Sequence, residues 1–175
     1  MHETLGRLET ELATVLDGLD ERDAQMTLIE HPEKWNIQQI VEHLLLSYRS
    51  TVGVLQTRID KGRATLAKPT LQQRLGQFSL ITLGYFPKGW MAPAEVSPTL
   101  PSELRSGDDL KRQIHEDLEA LDLVASTAQG MFGGGRCASH MVMGPLSPQQ
   151  WRKFHLVHGE HHIKQIRGIR QDHFV

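Results

Sequence analysis

Apolar residues recur along most of the chain at spacings of three and four, with polar stretches between, and that rhythm predicts amphipathic helices. In HETLGRLETELATVLDGL the positions Leu5, Leu8, Leu12, Val15, Leu16 and Leu19 form one stripe. A polar stretch with His31 and Pro32 follows, and the next periodic run is WNIQQIVEHLLLSYRSTVGVLQTRIDKG. Asn36 suits the N-cap of this second helix, and Gln39, three residues on, completes a capping box. Ile37, Ile40, Val41, Leu44, Tyr48, Leu55 and Ile59 carry the stripe to Lys61 and Gly62, so the helix runs for about 24 residues.

The stretch over residues 63–106 is less regular. Leu71, Leu75, Phe78 and Thr82 share a helical face, which predicts a short helix over 70–83. Pro69, Pro87, Pro93, Pro98 and Pro101 then predict an extended, proline-rich crossing. A third long helix follows in GDDLKRQIHEDLEALDLVASTAQ, with Leu110, Ile114, Leu118, Leu121 and Val124 inward and acidic residues in its first turn. GMFGGGRCASHMVMGPL reads as a loop. SPQQW opens the fourth long helix, with Ser147 as N-cap, Pro148 in the first turn and Gln150 reaching back.

Four long helices without a strand pattern predict an all-α protein, a four-helix bundle in one domain over residues 1–175. The connection of more than forty residues between the second and third helices predicts a crossover between parallel neighbours, which an up-down-up-down bundle does not need.

Composition narrows the function. A hydrophobic content of 39%, 23% charged residues and a net charge of -2 describe an ordinary soluble protein with no basic stripe for nucleic acid and no cationic face for anionic lipid. FSLITLGYF, the most apolar run, is about half the ~20 residues that span a membrane. The charged N-terminus carries no signal-peptide pattern, and the single cysteine, Cys137, excludes an internal disulfide and a cysteine-based zinc cluster. Cytoplasmic location is the expectation.

Ten histidines remain to be explained, and four of them fall in WRKFHLVHGEHHIKQI, residues 151–166. Counting about 100° per residue from Trp151, His155 lies at about 40°, His158 at about 340° and His162 at about 20°. They share the core stripe with Trp151, Phe154, Ile166 and Ile169, while His161 projects about 80° away. HGEHH matches neither the zinc-protease motif nor its inverted form. An inward pair at i and i+4 can converge on one divalent ion, or can belong to a hydrogen-bonded core network. His43, at the edge of the apolar arc of the second helix, is either a satisfied boundary residue or a third ligand.

Taken together, WNIQQIVEHL and HGEHHIKQI resemble the DinB/YfiT-like superfamily of metal-binding four-helix bundles. HMVMGPLSPQQW is similar to a subfamily of unassigned function. The resemblance implies an up-down-down-up bundle and a divalent ion held by His43, His158 and His162. Nickel or zinc is expected, and manganese or iron also suits such a site. It implies a metal-dependent transferase or hydrolase acting on a small molecule with a low-molecular-weight thiol as cofactor, and a homodimer; the alternative is a non-catalytic metal-binding or regulatory module. His155, one turn from the pair, is the candidate supporting residue, and His140, in the loop before the last helix, the candidate general acid or base. The proline-rich segment 85–101 departs from the general pattern and is expected to shape a pocket.

Overall fold

Every long helix starts where a side chain caps it. In the computed structural model, which describes residues 1–86, 92–100 and 103–175, α1 spans Glu3–Leu16 and the His2 ring accepts a hydrogen bond from the Thr4 amide. Capping boxes open α2 (Ile37–Asp60) at Asn36 and Gln39, α3 (Leu71–Gln77) at Thr70 and Gln73, and α4 (Gly107–Phe132) at Ser106 and Asp109. Ser147 and Gln150 do the same for α5 (Pro148–His173), with Pro148 in its first turn. Each box satisfies amides that the helix itself leaves without partners.

The apolar stripes become the core. α1 packs against α5 and α4, and α2 packs against α4 and α5. Leu5, Leu8, Leu12 and Leu16 of α1 meet Leu44 and Tyr48 of α2, Leu110 and Leu118 of α4, and Ile163 and Ile166 of α5 in one buried cluster. Each such side chain contributes roughly 1.5–3 kcal/mol through burial. A second cluster gathers Leu55 near the end of α2, Ala125 and Ala128 near the end of α4, and Trp151 and Phe154 near the start of α5. The approach of α1 to its neighbours is close: a Cβ on Gly107 would lie 2.1 Å from the Leu16 carbonyl oxygen, and one on Gly159 would lie 2.2 Å from Leu8 Cδ1. Buried Arg152 ties α5 to α4 through Asp122, Ser126 and Gln129.

Three departures from the sequence reading stand out. α4 continues beyond Gln129 to Phe132. The loop before α5 contains an antiparallel hairpin, β1 (Ala138–His140) and β2 (Gly144–Leu146), whose three-residue strands are too short to show an alternating pattern. The molecule is therefore mostly helical with a small two-stranded sheet. Finally, the short helix ends at Gln77 and passes into a wider π-type turn, Phe78–Thr82. Leu71, Leu75 and Phe78 face solvent, whereas Gln77 is buried and donates to the carbonyls of Met143 (2.8 Å) and Pro145 (3.1 Å). That amide clamps the hairpin. Among the crossing residues, Ala94–Val96 forms one tight turn against α2; Pro87 and Pro101 lie outside the described residues. No helix among the described residues is long and apolar enough to cross a membrane.

Candidate metal centre

His43 stands two turns into α2, at a position fixed by the Asn36 cap. The packing of α2 on α5 brings it opposite His158 and His162, which lie one turn apart. All three are buried, at 4%, 5% and 5% exposure. The Nε2 atoms of His43 and His158 are 3.0 Å apart, as are those of His158 and His162. One ligand atom from each of the three lies within 4.8 Å of the others. In an ideal tetrahedral site, with metal–nitrogen bonds of about 2.0–2.1 Å, ligand nitrogens stand about 3.3 Å apart, close to the two 3.0 Å separations.

The hydrogen-bonding pattern tests whether a cation fits. His43 Nδ1 lies 2.7 Å from the Val96 carbonyl oxygen, which can only accept, so the ring proton is on Nδ1 and a lone pair is on Nε2. His162 Nδ1 donates to Gln165 Oε1 at 2.8 Å, with the same result. His158 Nε2 can place one proton between two lone pairs at most. One of the two 3.0 Å contacts is then lone pair against lone pair, an arrangement that a cation relieves. Burial holds all three imidazoles below the ordinary histidine value. His162 is pushed down to about 3 by burial first and His43 second, and His43 and His158 are lowered by burial above all. They are neutral, the form that binds metal.

Aromatic rings wrap the trio. Trp35 lies 5.0 Å from the His43 ring, and Phe154 (5.4 Å, 13°) and Phe86 (5.4 Å, 21°) both stack on His158. Beside them opens a pocket of about 620 Å³, within the range of about 300–1,000 Å³ usual for small-molecule sites. Val54, Leu80 and Trp151 extend its apolar wall, while Ser47, Ser139 and His140 bring polar groups.

A family model for the DinB superfamily matches residues 4–166. The chain belongs to the DinB superfamily. No curated protein and no solved structure matches it. The fold of this DinB-superfamily protein thus brings together the three histidines that the sequence pairs from distant segments, as a group of buried side chains that could hold a metal ion.

The other candidates are placed differently. His155 is fully buried between Tyr48 and Phe154 and bonds to Thr51 Oγ1 at 2.9 Å, making no hydrogen bond to the trio. His140 lines the same pocket: its Nδ1 accepts from the amides of Val142 (3.1 Å) and Met143 (3.2 Å), and its ring lies T-shaped to Phe154 at 4.7 Å. His161 turns away from the trio on the helix yet lines the pocket rim, stacked on Phe86 at 4.7 Å and bonded to Gln165. Cys137 is buried, its thiol pushed up to about 11 by burial, so it is no nucleophile. The four remaining histidines serve locally: His2 caps α1, His31 and His115 pair with Glu33 and Glu9, and His173 bonds the Thr27 carbonyl.

Two supporting groups escaped the sequence. The Val96 carbonyl carries no side-chain signature, so nothing in PAEVSP marks it as the partner of His43. Gln165, three residues after His162 on the same helix face, was accessible to reasoning by helical spacing.

Proposed function

We propose that the protein is a divalent-metal enzyme that holds nickel or zinc at His43, His158 and His162 and acts on a small molecule in the adjoining pocket, as a hydrolase or thiol S-transferase. The observation that carries this reading is the pair of 3.0 Å Nε2–Nε2 contacts, which share at most one proton. A divalent ion held by His43, His158 and His162 would supply Lewis acidity to a small molecule in the pocket. Manganese or iron fits the same ligand set.

The chain's own groups prepare the site. Val96 and Gln165 fix the His43 and His162 rings through their Nδ1 protons, and so orient both Nε2 lone pairs and raise their basicity. Trp35, Phe86 and Phe154 shield the rings from water, which strengthens every charge interaction at the site. Neutral imidazoles leave the ion's charge undiminished, which suits an anionic partner such as a low-molecular-weight thiolate.

The pocket favours an enzyme over a metal-stabilised regulatory module, because a purely structural ion needs no cavity of about 620 Å³ beside it. The ends of α2 and α4 meet the start of α5 in one cluster, which supports an up-down-down-up order. From the resemblance alone, the proposal extends to a cytoplasmic homodimer.

Elemental analysis of the purified chain tests the reading. The expected result is about one ion per chain, lost in His158→Ala. Added nickel or zinc should raise Tm in the native protein only, with about 2.7 kcal/mol of stabilisation at a metal concentration one hundred times Kd. Absence of metal together with absence of a thermal shift overturns it. Loaded protein that turns over neither thiol conjugates nor esters would favour the module.

A further inference from the structure

The second polar landmark of the pocket is His140, whose ring is held more tightly than a free loop histidine would be. Two backbone amides of the β1–β2 turn, from Val142 and Met143, point at its Nδ1 at 3.1 and 3.2 Å. Amides can only donate, so Nδ1 must carry the lone pair, and the one proton of the neutral ring sits on Nε2. Rotating or flipping the ring would break both bonds. Phe154 at 4.7 Å and Trp151 at 5.4 Å also brace it. The hairpin itself is anchored from below by Gln77. Nε2 makes no hydrogen bond to any described residue, and His140 lines the same pocket as the trio.

Phe154 separates the two chemistries. One side of its ring stacks on His158 at 13°, and the His140 ring lies T-shaped to it. A molecule in the pocket therefore lies beside the metal trio and within reach of a preoriented N–H.

We infer that His140 is a fixed hydrogen-bond donor that positions the acceptor oxygen of a small carbonyl-bearing substrate, by its Nε2–H, and does not act as a general base. The inference rests on reading the pocket as the substrate site of the proposed enzyme. It changes the role expected from sequence, because a ring whose Nδ1 is occupied by two amides and whose Nε2 is protonated has no lone pair to offer a substrate proton. Burial, which pushes this histidine down to about 4, keeps it neutral and leaves the donor in place across the physiological range. A donor aimed at an oxygen on which negative charge develops is a familiar way to stabilise such charge without reorganisation.

The variant His140→Asn separates this role from a structural one, since the Asn Oδ1 can accept the Val142 and Met143 amides while its Nδ2–H2 group falls at the place of the ring Cδ2, short of the position from which Nε2–H donates. The probes are acetophenone and α-methylstyrene, near-isosteres that differ in a carbonyl oxygen against a methylene. Their binding is followed by ligand-detected NMR on the full chain, with metal content measured in parallel. The native protein should prefer acetophenone by roughly 3- to 10-fold, and His140→Asn should lose that preference while keeping its Tm and metal content. Long-range ¹⁵N correlation spectra of the native protein should show His140 protonated at Nε2. A preference that survives in His140→Asn, or an Nδ1-protonated ring, overturns the inference, and the spectrum decides even if the variant folds poorly. A metal-free native protein would defeat the proposed enzyme and leave this tautomer result standing, so the two failures are distinguishable.

Discussion

A neutral imidazole has one proton, and the partner of one nitrogen decides what the other can do. The Val96 carbonyl leaves His43 an Nε2 lone pair, the amides of the hairpin turn leave His140 an Nε2 proton, and Thr51 settles His155. The Thr51 hydroxyl donates to the Ser47 carbonyl, so it accepts from His155 Nε2–H and leaves Nδ1 buried without a hydrogen-bond partner among the described residues. Burial, with His140 adding to it, pushes His155 from the ordinary histidine value down to about 3. At neutral pH and above, the ring is neutral folded and unfolded, and it makes no pH-dependent contribution. As pH falls below about 6.5 the unfolded chain takes up a proton that the folded chain refuses, so stability drops until about pH 3. The slope is about 1.4 kcal/mol per pH unit. Urea denaturation of metal-stripped protein at pH 6.5 and 5 should therefore cost the native chain about 2 kcal/mol more than His155→Leu. Equal losses in the two proteins would show that His155 titrates normally.

At the scale of elements, two glycines of α4 should respond in opposite directions. A Cβ on Gly107 would collide with backbone at the Leu16 carbonyl, which no rotamer change can relieve, while Gly130 has open space around it. Gly107→Ala should destabilise by about 1–3 kcal/mol, and Gly130→Ala should stabilise by about 0.4–1 kcal/mol through the unfolded chain's lost freedom; thermal unfolding checks both. Periodicity and caps made the long helices legible: the stripes of α1, α2 and α4 are core residues almost without exception, and the Asn36 and Ser147 caps start α2 and α5 as read. The hairpin was not legible, because three residues per strand carry no usable alternation and its stability comes from Gln77, a side chain more than sixty positions away. The face of Leu71, Leu75 and Phe78 is helical at Leu71 and Leu75 but exposed. A helical period reveals a face without revealing what covers it.

At the scale of the whole molecule, the site depends on residues 115 positions apart that no local window could join. The inward histidine pair on α5 was legible from its angle, whereas His43 stood open between boundary residue and third ligand until the resemblance to the DinB superfamily chose between them, since one histidine at the edge of an apolar arc has many bland explanations. Core packing of α2, α4 and α5 then closes the distance. Crystals of the purified protein, measured on the high-energy side of the absorption edge of the metal found by elemental analysis, give the most direct test of a three-histidine centre. An anomalous peak about 2.0–2.2 Å from Nε2 of His43, His158 and His162 is the expected result. An anomalous map empty at the trio, or a peak bound to other side chains, would contradict it.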